Sequence, residues 1–149
     1  MADTRWLTDD EQRAWRAFLG ATRQIFDELD RELQRDAGMP HTYYTILVAL
    51  SEAPDRTLRM SQLADVTGSS RSRLSHAVAR LEESGWVRRL SCPDDRRGAL
   101  ATLTDEGFAA LAAAAPGHAE GVRRHLFDRL TPEQVEQLRR ISESVLGFN

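Results

Sequence analysis

Residues 58–104, LRMSQLADVTGSSRSRLSHAVARLEESGWVRRLSCPDDRRGALATLT, constrain the fold more than any other part of the chain. Ser61 can cap a short helix that carries Leu63, Ala64 and Val66 and stops at Thr67-Gly68. Ser70 can cap a second, with Leu74, Val78 and Leu81 at core spacing and Gly85 at its end. A capping hydroxyl satisfies an N–H that the first helical turn leaves unpaired, and glycine tolerates the left-handed conformation that closes a helix. Two short helices joined by a tight Gly-containing turn form a helix-turn-helix. The flanks WVRRLS and ALATLT then alternate as short strands around CPDDRRG, whose Asp, Pro and Gly are turn formers. Helix-turn-helix plus hairpin is a winged-helix arrangement.

The rest of the chain reads as helix. TDDEQRAWRAFLGATRQIFDELDRELQRDAG opens with a Thr8–Glu11 capping box and ends at Gly38. Trp15, Phe18, Leu19, Thr22, Phe26, Leu29 and Leu33 form one stripe on it. A shorter helix follows Pro40, and APDRT breaks the pattern. Beyond Thr104 the composition is helical again, with a kink or split expected at Pro116-Gly117. Thr131-Pro132-Glu133-Gln134 starts a last helix through Val135, Leu138, Ile141, Val145 and Leu146. The expected fold is therefore mainly α with a small β-hairpin wing. It is one domain over 1–149, with a winged lobe at 56–104 and helical regions at 8–37 and 105–147, whose apolar stripes exceed what one small winged lobe can cover and so mark them for dimerisation.

The charge distribution says where a polyanion could bind. Net charge is −3, but residues 56–97 hold nine arginines against five acids, a local excess of four. The remainder holds eleven against eighteen. Basic charge is thus gathered in the winged segment and acidic charge lies on both sides. One cysteine, Cys92, allows no intrachain disulfide and fits a reducing cytoplasm. The start MADTRWLTDDEQ lacks the pattern of a signal peptide, and no apolar run approaches a membrane span.

With Leu74, Val78 and Leu81 turned inward, the opposite face of the second helix carries Ser72, Ser75 and His76. Ser70, Arg71, Arg73 and Arg80 flank it. Short donors and guanidinium groups at the start of such a helix can reach base edges in the major groove of double-stranded DNA. Arg88 and Arg89 are placed to meet backbone phosphates. At the hairpin tip, Asp95 can hold Arg97 in a fixed orientation for entry into the minor groove, with Arg96 alongside.

The stretches LADVTGSSRSRLSHAVARLEESGWVRR and DDRRGALATLTDEG resemble the multiple antibiotic resistance regulator (MarR) family of winged-helix repressors. They match that family's wing pattern of Asp-Arg-Arg, an alternating strand, Leu-Thr and Gly. Ala101 is a departure, being smaller than the branched residue usual there. The resemblance implies a homodimer built from the terminal helices and a palindromic operator. It also implies a recognition helix from Ser70 to Glu83 and a minor-groove arginine at Arg97. Family members often bind aromatic or phenolic effectors between the lobe and the dimer helices. The corresponding residues are Trp15, Arg16, Phe18, His41, Tyr43 and Tyr44.

No nucleophile motif, phosphate loop or paired-acid arrangement points to catalysis, and no cofactor is implied. Cys92 and the scattered histidines 41, 76, 118 and 125 do not form a metal-ligand pattern. The expected function is a DNA-binding repressor released by a small molecule. The alternative is a ligand-binding or protein-interaction module that keeps the fold without binding DNA.

Overall fold

The structure is a computed structural model that describes residues 3–91 and 98–148. The tip residues Cys92, Asp94, Asp95, Arg96 and Arg97 lie outside that range. Helix α1 (Asp9–Ala37) is followed by α2 (His41–Glu52), a single 3-10 turn and strand β1 (Thr57–Arg59). Then come α3 (Met60–Thr67), α4 (Arg71–Glu83), β2 (Val87–Ser91) and β3 (Ala99–Leu103). The chain closes with α5 (Asp105–His125) and α6 (Pro132–Leu146).

The described residues form two compact units, one of residues 30–120 and one of residues 1–29 with 121–149. In the central unit the sheet order is β1-β3-β2, antiparallel throughout. Thr57 pairs with Thr102, and Arg89 with Ala101. The strand β1 is absent from the sequence reading, because three residues are too short for alternation to register. It pairs with β3 and turns the hairpin into a three-stranded sheet. Ala101 sits between Leu58 and Arg89 and is fully buried, so its small side chain faces the interior of the sheet layer.

Leu47 and Leu50 of α2, Leu63 of α3, and Leu74, Val78 and Leu81 of α4 are buried in one cluster with Val87 and Leu103. The apolar spacing on α4 therefore does what its period requires. Glycine is required at two positions for different reasons. Gly68 adopts φ +64 at the end of α3, which a side chain rarely does. Gly107 is different: a Cβ there would meet the Trp86 carbonyl oxygen at 2.1 Å. That close approach is stitched by Thr104, whose N–H donates to Trp86 O and whose hydroxyl donates to Gly85 O at 2.6 Å.

The capping boxes form where the sequence places them. Thr8 and Glu11 exchange hydrogen bonds at the start of α1, as do Thr131 and Gln134 at α6. Two boundaries differ. Helix α3 begins at Met60 rather than after Ser61, because the Gln62 side chain accepts from the Arg59 N–H and ties down the turn one residue pair earlier. Helix α5 is not split at Pro116 but runs from Asp105 to His125. Proline removes one backbone donor, and the alanine-rich 109–115 before it has the strongest helix propensity available to absorb that loss.

The terminal unit contains the start of α1, the end of α5, a 3-10 turn and α6. Along α6, Glu136 accepts from both Arg139 and Arg140, which holds its carboxyl at about 2, and Arg139 also reaches Glu143. Ile141, Val145 and Leu146 are exposed on that helix, as are Trp15, Phe18 and Phe26 on α1. Among the described residues no helix is long and apolar enough to cross a membrane.

Candidate nucleic-acid interface

The second helix of the helix-turn-helix, α4, starts as its sequence demands. The Ser70 hydroxyl accepts from the Arg73 N–H at 3.2 Å, so this side chain is committed to the cap. Burying Leu74, Val78 and Leu81 then leaves Arg71, Ser72, Arg73, His76 and Arg80 exposed and Ser75 half-buried. The residues expected on one outward face are therefore brought together. Arg80 is loosely paired with Glu83 at 3.3 Å, both exposed, an ion pair that costs little to open.

Two grooves flank α4. One, of about 440 Å³, is lined by Arg59, Ser61, Arg71, Ser75, Arg89 and Gly98. The other, of about 540 Å³, is lined by Tyr43, Thr67, Ser69, Arg73, His76 and Arg80. The polar atoms bordering both are mostly hydroxyls and guanidinium donors, the groups that match phosphate oxygens and base acceptors. Arg59 was not singled out by sequence; its place in the lining of the first groove depends on β1, which periodicity did not reveal.

On β2 the side chains alternate. Arg88 is exposed, while Arg89 points to α4, where its Nη2 donates to the Ser75 carbonyl at 3.2 Å. Its Nε lies 3.3 Å from Glu82 Oε1, at ion-pair distance but without hydrogen-bond alignment. Arg56, also part of the basic segment, is spent elsewhere. Its guanidinium stacks 4.1 Å over the Phe108 ring and approaches Asp105 at 3.4 Å.

The six residues proposed for an effector fall in different units. Trp15, Arg16 and Phe18 belong to the terminal unit, with the Trp15 and Phe18 rings 6.2 Å apart. His41, Tyr43 and Tyr44 belong to the central unit, where Tyr43 faces the groove beside α4. Tyr44 instead packs against His118, ring centroids 4.3 Å apart and the planes tilted by 39°, and the His118 ring is 5.6 Å from His41. His118 came from α5, 77 positions beyond His41, so only folding could join them. Its Nδ1 is buried without a hydrogen-bond partner. Burial, and then the neighbouring His41, lower the His118 pKa; burial lowers that of His41, with Asp30 opposing, and raises that of Tyr44. Among the described residues no group of three or more His, Cys, Asp or Glu could hold a metal ion.

Known proteins share this arrangement. A family profile described as MarR family matches residues 37–98. A MarR family transcriptional regulator of Streptomyces coelicolor, solved in complex with DNA, is 55% identical with a TM-score of 0.91, covering 98% of this chain and 91% of that one. AbsC, a second MarR family regulator of the same organism, is 44% identical with a TM-score of 0.86, covering 97% and 99%. The transcriptional repressor MprA of Escherichia coli is 27% identical over 110 residues, 74% of this chain and 62% of its own length. The chain thus spans about three fifths of that curated repressor and nearly the whole of the two Streptomyces structures. The six helices and three-stranded sheet of the described residues, with the near-complete match to these structures, show that the chain belongs to the MarR family.

Proposed function

We propose that the protein is a sequence-specific DNA-binding transcriptional regulator, acting in the cytoplasm as a homodimeric repressor on a palindromic operator. The observation that carries this reading is the outward face of α4, where Arg71, Ser72, Arg73 and His76 stand exposed on a helix anchored by three buried residues. A relative 55% identical has been solved in complex with DNA, which supports DNA as the partner of this chain. In this reading α4 enters the major groove, Arg88 meets phosphate, and the Asp95–Arg97 pair of the wing serves the adjacent minor groove.

A single α4 reads one half-site, and the exposed apolar residues of α1 and α6 supply a surface for a second copy. A two-fold dimer would set two recognition helices about 34 Å apart, facing successive major grooves. Enrichment of bound duplexes from a random-sequence pool, with sedimentation of the free protein, tests both parts. A palindrome bound by a dimer is the expected result. A monomer on an asymmetric site, or no enrichment at all, would overturn the reading.

An effector is the further element. The shielded, unpartnered Nδ1 of His118 beside Tyr44 and His41 offers hydrogen-bonding capacity to an aromatic acid or phenol. Such a ligand releases DNA only by binding more tightly to a conformer whose recognition helices are wrongly spaced. Aromatic acids and phenols should therefore raise the melting temperature and lower operator affinity together. Neither effect across a broad panel would sink this part alone.

A further inference from the structure

We propose that Arg89 is a positioning residue for the recognition helix rather than a phosphate contact, deepening the DNA-binding reading on which this rests. The strand β2 presents Val87 and Arg89 to the helix side, and Val87 is buried there. From that face the Arg89 Nη2 donates to the Ser75 carbonyl at 3.2 Å, and its Nε faces Glu82 Oε1 at 3.3 Å. Ser75 and Glu82 are seven residues apart on α4, two turns along one face, roughly 10 Å of axial rise. One guanidinium can still engage both. A helical carbonyl points toward the C-terminus, while a helical side chain tilts back toward the N-terminus, so the Ser75 oxygen and the Glu82 carboxylate converge.

The Ser75 carbonyl lies inside α4, where an oxygen has one lone pair for the helix and a second available for a charged donor. The two contacts together oppose both rotation and sliding of α4 against the sheet, since either movement breaks them. Ser72, Arg73 and His76, one turn of exposed surface around Ser75, inherit that register. Arg89 is also compromised as a phosphate ligand. Its side chain is only 32% exposed, its Nε is shielded, and the Glu82 carboxylate already offsets its charge. Arg88, exposed next to it on the strand, has none of these commitments among the described residues.

The two roles predict different outcomes for one substitution. A phosphate-binding Arg89 would be freed by Glu82→Gln, which also removes a negative charge, so affinity for every duplex should rise. A positioning Arg89 loses half its anchor, so discrimination between the enriched duplex and a scrambled one should fall. For Arg89→Met, which keeps the aliphatic stem, discrimination should drop roughly tenfold, the scale of one specific contact, with the salt slope unchanged. Arg89→Lys should recover part of that loss, since a single ammonium can reach one of the two acceptors. Arg88→Ala serves as the comparison and should reduce the slope by about one unit at constant discrimination.

Hydrogen exchange of the DNA-free protein supplies a readout that needs no operator. The α4 amides from Ala77 to Glu82 should exchange faster in Arg89→Met and in Glu82→Gln while the global melting transition persists. Should Arg89→Met fail to fold, Glu82→Gln carries the same test at a partly exposed site. A salt slope lowered by about one unit in Arg89→Met with discrimination intact would overturn the proposal. So would higher affinity in Glu82→Gln with unchanged α4 exchange. A wild-type protein that binds no duplex selectively would instead remove the DNA-binding reading, while faster α4 exchange in the variants would still report the anchor.

Discussion

The central and terminal units spend their apolar side chains in opposite ways. In the central unit Leu47, Leu50, Leu63, Val78 and Leu81 are wholly shielded from solvent, drawn from three helices that close on a small sheet. In the terminal unit Ile141 is 62% and Val145 83% exposed, and Phe18 is 58% exposed on α1. Both units use helices with good caps and clean periodicity, so local structure does not separate them. What separates them is where the stripe goes. One is consumed within the fold, and the other stays exposed, the stripe that the proposed two-fold dimer would cover with its own copy.

The sharpest test of that contrast is Leu47→Ala. Truncating a fully buried leucine should cost about 2–5 kcal/mol, because the lost transfer energy is joined by a cavity the surroundings only partly fill. Chemical denaturation should show this loss at every protein concentration. A cost below about 1 kcal/mol would mean that the central unit is less tightly packed than its burial indicates.

Gly107→Ala comes next. Its Cβ would press on the Trp86 carbonyl, a backbone atom that cannot rotate away, and overpacking of this kind costs about 1–3 kcal/mol. The loss should be accompanied by faster exchange of the Thr104 amide, which donates to the same carbonyl. An alanine variant as stable as the parent would show that the junction of the sheet with α5 yields easily.

In the terminal unit Val145→Asp should behave differently. The residue is exposed, so the free chain loses little, roughly within 0.5 kcal/mol. A dimer closed over it would be opposed by two buried carboxylates, and sedimentation should shift toward monomer. The concentration dependence of the melting temperature should also disappear. If Val145→Asp left the sedimentation profile untouched, α6 would not be the dimer surface.

The smallest effect concerns acid. The pKa of His118 is lowered in the folded protein, chiefly by burial and then by His41, relative to an ordinary histidine near 6.5. The unfolded chain therefore binds the proton more readily. The stability this neutral ring contributes is complete above the unfolded value and is lost as pH falls through it toward the folded one. His118→Phe should flatten the decline in melting temperature below about pH 6.5 and leave neutral stability nearly unchanged. An identical slope in both proteins would place the acid sensitivity elsewhere, with His41 the first alternative because burial lowers its pKa too.

The same division explains how much could be read in advance. Helices α1, α2, α4 and α6, their caps at Thr8, Ser70 and Thr131, and the β2–β3 hairpin are written in contiguous residues, so periodicity and capping chemistry suffice to find them. The outward Arg71–Ser72–Arg73–His76 face followed from the same arithmetic, since burying every third or fourth residue leaves the others outside. Family resemblance already marked Gly107 as part of a pattern. Only the fold supplies its cause, the Trp86 carbonyl that sits where a Cβ would be.

Other features had no contiguous signal to read. β1 is three residues long and is a strand because β3 is beside it. Arg89 and Arg88 are neighbours of identical chemistry, and strand alternation alone does not say that Glu82 and the Ser75 carbonyl await one of them. His118 carried no meaning by itself until α5 placed it against Tyr44 and His41. Local hydrogen bonds and hydrophobic period act over a few residues, so the amino-acid order determined the helices, the hairpin and the outward face of α4. Which arginine is free, which histidine is buried and which apolar stripe stays uncovered depend on chain segments far apart in sequence, and only their packing decided them.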